Sequence, residues 1–157
     1  MHDKPLSLLY KEETSSTNDD VQEIALQGGE HLTTVWANSQ TKGRGRLGRT
    51  WETFPDVSLA FSVLIRENGY PQLPLVIALA LKDELSLYAP VTIKWPNDIL
   101  KDRKKIAGVL VEQKGGVYIV GIGVNLSPPS QIPDNFNGSF LLKEPLETHS
   151  RKELVES

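Results

Sequence analysis

Apolar and polar positions recur along the chain with two different periods, and the periods divide it into elements. Residues 7–13 read as a short first strand. Ser16 and Thr17, just ahead of Asp19 and Asp20, form a helix start, because their side-chain oxygens can accept the free N–H groups of a first turn. Val21, Ile24, Ala25 and Gly28 follow at helical spacing, and Gly28-Gly29 is the stop. Residues 33–37 are β-branched and aromatic, which predicts a strand, and residues 57–65 (VSLAFSVLI) predict a long central one. A mostly apolar helix over residues 74–88 is expected to pack on the sheet. Residues 91–95 read as a short strand stopped by Pro96. Residues 106–113 and 117–124 read as two strands joined by a tight hairpin at Lys114-Gly115-Gly116. Beyond residue 127 the chain is rich in proline and asparagine, until Ser150 caps a last short helix. The pattern is an α/β mixture with at least one antiparallel pair, which excludes a purely parallel sheet.

Composition narrows the class. The chain has 157 residues, enough for one domain with a real core. Hydrophobic residues make up 39% and charged residues 24%, which is globular rather than disordered. There is no cysteine, so disulfides and thiolate metal sites are excluded and a reducing compartment fits. The N-terminus lacks an apolar run of signal-peptide length, and the longest apolar stretch, residues 73–81, is too short to cross a bilayer. A cytoplasmic protein without membrane contact is expected.

Charge is what changes the picture. The net charge is −3, yet residues 42–49 (KGRGRLGR) hold four cations, three glycines and no acid. Glycines let a backbone pass close to a ligand and turn its N–H groups inward, and arginine offers a planar fork for carboxylate or phosphate. Because the basic excess is local, a small anion fits better than a nucleic acid, which calls for a basic face or stripe. The four cations repel one another, so the segment is expected to be mobile when free and ordered by an anionic ligand. A solvated basic loop is the plainer reading.

Three other stretches carry candidate chemistry. In Trp95-Pro96-Asn97-Asp98 a strand ends in a turn; Asn97 can hydrogen-bond a ligand and Asp98 can hold Mg²⁺, although Pro-Asn-Asp is also a common structural turn. After a solvated hairpin over residues 101–105, Lys105 stands at the edge of a buried strand, where it can point into a pocket. Gly121 and Gly123 interrupt an apolar strand, which implies either a close approach to the sheet or a bulge, and Asn125 ends that strand. Ser16-Thr17-Asn18 is explained by capping, or by an anion at a helix N-terminus. The three histidines, His2, His31 and His149, lack metal-ligand spacing and are expected at the surface. No Gly-x-Ser-x-Gly elbow or HExxH is present, so catalysis would rest on positioning and positive charge, as in attack of a carboxylate on ATP.

Taken in order, SSTN, Gln40 with GRGRLGRTW, KWPND, KKIAGVLVE and GIGVN resemble the segments of biotin protein ligases, over residues 15–125. The resemblance implies a mixed, largely antiparallel sheet backed by helices, of the class II aminoacyl-tRNA synthetase and biotin ligase type. It implies an ATP-dependent, AMP-forming biotin–[acetyl-CoA-carboxylase] ligase. Biotin and Mg²⁺-ATP would give biotinyl-5′-adenylate, which acylates a lysine of a biotin carboxyl carrier protein. On this resemblance Ser16, Thr17, Asn18, Gln40, Gly43, Arg44, Gly45, Gly108, Gly121 and Gly123 fall on the biotin side. Arg49, Trp51, Asn97 and Asn125 fall on the ATP side. Arg46 and Lys105 serve both and, with Asp98 as the Mg²⁺ candidate, form the catalytic set.

The pattern leaves no room for the N-terminal winged helix of many bacterial relatives, so the expectation is the monofunctional class without DNA binding. Residues 1–157 would be a catalytic domain lacking the small C-terminal SH3-like domain. The resemblance also implies a homodimer through the sheet, with residues 117–124 as the candidate edge. Three alternatives stay open: a lipoate or octanoate ligase of the same fold, a non-catalytic biotin- or nucleotide-binding fragment, and a nucleic-acid module using the basic loop.

Overall fold

The computed structural model describes residues 7–67 and 69–157; His2 lies outside them. Among these residues the chain runs β1 (Leu8–Thr14), α1 (Thr17–Leu26), β2 (Thr34–Gln40), β3 (Ser58–Ile65), α2 (Leu73–Leu85), β4 (Thr92–Lys94), β5 (Asp98–Lys101), β6 (Lys104–Lys114), β7 (Val117–Asn125) and α3 (Thr148–Glu156). The seven strands form one sheet in the order β1-β2-β3-β7-β6-β5-β4. Only β1 and β2 pair in parallel, joined by the α1 crossover; every other pair is antiparallel.

Most expected elements are present, and the departures come mainly from strand pairing. Strand β2 runs on through Asn38-Ser39-Gln40 because β1 supplies partners for it, with Glu13 opposite Ser39 and Thr14 opposite Gln40. This places Gln40 at the end of a strand rather than in a loop. Strand β5 was not expected: its two apolar residues, Ile99 and Leu100, are too few to show a period, and pairing with β4 and β6 makes it a strand. Residues 117–124 are not an edge. Strand β7 is the middle of the sheet, between β3 and β6. Ser150 lies inside α3 and caps nothing; Glu147 precedes the helix. The β6–β7 hairpin turns at Gly115 and Gly116, whose φ values of 57° and 78° are the pair that a tight two-residue turn demands.

The register decides which side of the sheet is open. Directly paired residues share a face, so Val35, Ser62, Gly121 and Leu110 form one row across β2, β3, β7 and β6. Ala60, Gly123 and Gly108 form the next. Helix α1 covers one end of this face, where Val21 packs with Val35, Leu64, Val117 and Ile119. The opposite face carries α2, through Ala78 against Val109 and Val120. It also carries α3, through Leu154 in a large cluster with Trp36, Leu59 and Phe61. Beyond α1, the small residues of the first face are left as a shallow floor.

Burial predicts the weight of these clusters. Ile119 is fully buried beneath α1, whereas Leu47 is 88% exposed. Ile119→Ala should cost about 2–5 kcal/mol in urea unfolding, and Leu47→Ala no more than about 0.5 kcal/mol. Equal costs would mean that the α1 face is not part of the cooperative core.

Candidate functional site

The floor of the cleft exists because three positions lack side chains. A Cβ on Gly121 would collide with the Asn18 carboxamide, and one on Gly123 with the Trp51 indole. A Cβ on Gly108 would come within 3.1 Å of the Lys105 ammonium. The interruptions in the apolar strand are therefore close approaches, not bulges: β3, β7 and β6 stay in continuous register through Gly121 and Gly123.

The start of α1 forms one wall. Ser16 precedes the helix but makes no side-chain cap bond, so capping does not account for Ser16-Thr17-Asn18. The polar atoms of Thr17 and Asn18 turn to the sheet instead. Thr17 N–H donates to Gln40 Oε1 at 2.9 Å, and its hydroxyl lies 2.7 Å from Ser62 Oγ. Asn18 Nδ2 donates to Glu112 Oε2 at 2.7 Å, and Asn18 Oδ1 accepts from Ser62.

The glycine-arginine segment forms the second wall as a small self-paired hairpin. Trp51 N–H donates to Gly43 O and Gly45 N–H to Arg49 O, and the turn between them is a short 3₁₀ segment, Arg46–Gly48. One of its four cations is neutralised by the chain's own acids. Arg44 forks onto both carboxylate oxygens of Asp19, at 2.9 and 2.8 Å, and reaches Glu112 at 3.0 Å. Arg44 therefore acts as a clasp joining the loop to α1 and β6. The Arg44 bond holds the Asp19 carboxyl below its usual range. Burial pushes the Glu112 carboxyl up, but donation from Asn18 and Arg44, with the Arg44 and Lys114 charges, brings it below its ordinary value.

The third wall comes from β4–β6. Arg46 donates to Asn97 Oδ1 at 3.0 Å, and Asn97 Nδ2 donates to Val109 O. Lys105 Nζ pairs with Asp98 at 2.7 Å and stands 5.4 Å from the Trp51 ring centroid. The cleft so enclosed, about 250 Å³, is lined by every expected site residue except Gly43 and Asn125. Gly43 sits behind the loop, where a Cβ would strike the Trp51 carbonyl. Asn125 lines an adjoining cleft with Arg49, Trp51, Lys105, Phe136 and Gly138, and its buried Oδ1 has no hydrogen-bond partner.

Asp98 is the single acid among the residues lining the first cleft. No group of three or more His, Cys, Asp or Glu side chains stands together as metal ligands among the described residues. The donor set does not fit a resident cation. It fits one that arrives with its own oxygen ligands, as Mg²⁺ does on phosphates. His31 accepts from Arg66 N–H, and His149 pairs with Glu153 at the surface. Among the described residues no helix is long and apolar enough to cross a membrane.

Sequence reasoning missed Ser62, Asp19, Glu112, Lys94 and residues 135–138. Two of them carried a signal: Ser62 is a hydroxyl inside the apolar run of β3, and Glu112 is the single acid inside β6. As chemistry, the site offers a neutral hydrogen-bonding end at Thr17 and Gln40. Its other end is cationic, with Arg46, Arg49, Lys94 and Lys105 suited to a carboxylate or phosphate.

A model of the biotin/lipoate A/B protein ligase family matches residues 10–128. The chain is 40% identical over 127 residues to the biotin–[acetyl-CoA-carboxylase] ligase of Paracoccus denitrificans, covering 73% of this chain and 52% of that protein. It is 34% identical over 139 residues to the bifunctional ligase/repressor BirA of Bacillus subtilis, covering 81% of this chain and 43% of the relative. The chain thus spans about half the length of these relatives. Among solved structures it resembles the biotin protein ligase of Aquifex aeolicus in complex with biotin and ATP. The TM-score is 0.83 at 32% identity, over 96% of this chain and 67% of that one. It also resembles the Leishmania major biotin protein ligase in complex with biotin, with a TM-score of 0.81 at 26% identity, over 97% and 72% of the two chains. The sheet of seven strands and three helices is therefore the class II synthetase-like fold of these ligases.

The clasp has a pH signature. Carboxyls with folded pKa values below their unfolded ones add stability that is present above the unfolded values and is lost as pH falls through the folded ones. The parent should therefore lose stability as pH drops below about 4, and Arg44→Ala should lose less over the same range. Parallel acid-unfolding curves would show that Arg44 does not lower these carboxyls.

Proposed function

The chain belongs to the biotin/lipoate A/B protein ligase family, and from that premise we propose that it is a biotin protein ligase. In the first step the biotin carboxylate attacks the α-phosphorus of ATP, giving biotinyl-5′-adenylate and pyrophosphate. In the second, a lysine amine of a biotin carboxyl carrier protein attacks the adenylate carbonyl and releases AMP.

The observation that carries the reading is the polarity of the cleft: a neutral polar end built from α1 and β2, and a cationic end built from the loop and β6. Thr17 and Gln40, with Ser16 beside them, bind the biotin head, and the glycine floor admits its rings close to the sheet. Lys105 meets the carboxylate and the α-phosphate where charge builds in the transition state. Arg46 and Arg49 close on the phosphates, and the loop shields the mixed anhydride from water. Trp51, Asn97 and Asn125 serve the nucleotide, whose base occupies the adjoining cleft. Asp98 would take part in holding the Mg²⁺ that arrives with ATP. Each of these groups binds, orients or neutralises, and none has to be an activated nucleophile. A homodimer belongs to the same reading; because β7 is internal, association through the sheet would use another strand.

A second reading, a lipoate or octanoate ligase, is not favoured, since the relatives and structural neighbours above carry biotin ligase names. ATP–pyrophosphate exchange with biotin, lipoate, octanoate or no acid separates these readings. Exchange is expected with biotin alone. Biotin binding without exchange would identify a non-catalytic binder, and neither would overturn the assignment. Lys105→Ala should abolish exchange while leaving the thermal midpoint nearly unchanged, because the side chain is 35% exposed. An unfolded variant would make Lys105 a structural residue.

A further inference from the structure

A chain of hydrogen bonds runs beneath the neutral end of the cleft, and its direction is set at one end. Glu112 is a carboxylate and can only accept. Asn18 must therefore offer it the Nδ2 end of the carboxamide, at 2.7 Å, which turns Oδ1 toward Ser62. Ser62 gives its one hydroxyl hydrogen to that oxygen. It has none left for Thr17, so across the 2.7 Å contact the Thr17 hydroxyl donates and Ser62 accepts. The other neighbour of that hydroxyl, Gln40 Oε1, is also an acceptor, at 3.1 Å, and is already served by Thr17 N–H at 2.9 Å. The Thr17 hydrogen is thus spent inside the protein, and only oxygen lone pairs remain for the cleft. With its Oε1 held by Thr17, Gln40 presents its Nε2 end as the donor; one of the two hydrogens goes to Thr53 Oγ1 at 3.4 Å, which leaves the other for the cleft.

We propose that Glu112 is a positioning residue which, through Asn18 and Ser62, holds Thr17 as an acceptor beside the Gln40 donor. The pair selects a head group that presents an N–H next to a carbonyl, as a cyclic urea does. The inference rests on the reading above that this end of the cleft takes the head group. A dithiolane or an alkyl chain presents neither group. Glu112 itself does not line the cleft, so it acts through the two side chains between. It also takes Arg44 at 3.0 Å on the same oxygen, with Lys114 3.7 Å from the other, so the clasp role has to be separated in the test.

Calorimetry with biotin and with biotin methylated on a ureido nitrogen makes that separation, because polarity shows in the ratio of the two affinities. The parent should discriminate on the order of a hundredfold or more, since an unmet polar group in the site opposes the methylated ligand. Glu112→Ala frees the Asn18 carboxamide to turn over, and discrimination should fall below about tenfold. Glu112→Gln keeps an oxygen facing Asn18 and Arg44 and should retain the parent ratio. Arg44→Ala removes the clasp and a cation that lines the cleft but leaves the Asn18–Glu112 bond in place; it should weaken both ligands together and leave the ratio intact. Asn18→Ala cuts the chain at the next link and should lower the ratio as Glu112→Ala does, which gives a second arm should that variant not fold. Loss of both ligands by one factor in Glu112→Ala, or a parent-like ratio in Asn18→Ala, would overturn the proposal. A parent that binds no biotin would instead overturn the functional reading and leave the head group without a place here.

Discussion

Over the middle of β6 and β7 the sheet has backbone where side chains normally stand, and everything around the cleft is arranged by how closely other groups approach that bare strip. The Asn18 carboxamide occupies the space over Gly121, and the Trp51 indole that over Gly123. These two contacts bring the start of α1 and the end of the glycine-arginine loop onto the same floor. A single methyl group at either glycine would lift one of them. The strip is affordable because behind it the opposite face of the sheet is apolar, with Val109, Val120 and Ile122 packed under α2. Stability comes from one side of the sheet and room for a ligand from the other.

Charge is distributed with the same division of labour. Of the cations in the loop, Arg44 is committed to Asp19 and Glu112 and pins the loop down. Arg46 is held by a neutral partner, Asn97, and keeps its charge available. Lys105 is paired with Asp98, the single acid lining the cleft, and lies near the face of Trp51. An anion entering the cleft thus meets cations whose positions are already set, which lowers the ordering cost of binding. At the neutral end the same economy operates through hydrogen-bond direction rather than charge. Asp19 and Glu112, acids outside the cleft, reach it through Arg44 and Asn18.

A third tie sits on the far side of the sheet. Arg151 of α3 is 2% exposed and donates to Asn38 Oδ1 at 2.9 Å, with Asp56 at 3.5 Å. Asn38 Oδ1 also accepts from Asp56 N–H, and its Nδ2 donates to Glu12. Asn38 and Asp56 flank the segment that carries the loop, so α3 is bolted to the base of the loop's two stems. Tyr10, pushed up to about 12 by burial and by its bond to Glu12, closes the outer edge of this network.

The local chemistry of the chain determined most of the elements. Periodicity placed α1, β3, β6 and β7, glycine pairs placed the β6–β7 turn, and motif order identified the segments that meet at the cleft. Each of those signals lies within a few residues, where spacing alone decides which face a side chain takes. What depends on pairing with another strand, or on partners distant in sequence, was not legible. Strand β5 and the extension of β2 exist because neighbouring strands supply hydrogen bonds. The central place of β7 follows from the pairing order. The tasks of Ser62, Glu112 and Asp19 arise only when β3, β6 and α1 converge. The sequence could name Arg44 as a cation seeking an anion. Only the tertiary structure could show that two acids of the same chain, 25 and 68 positions away, had taken it, because competition among partners is settled by distance in space.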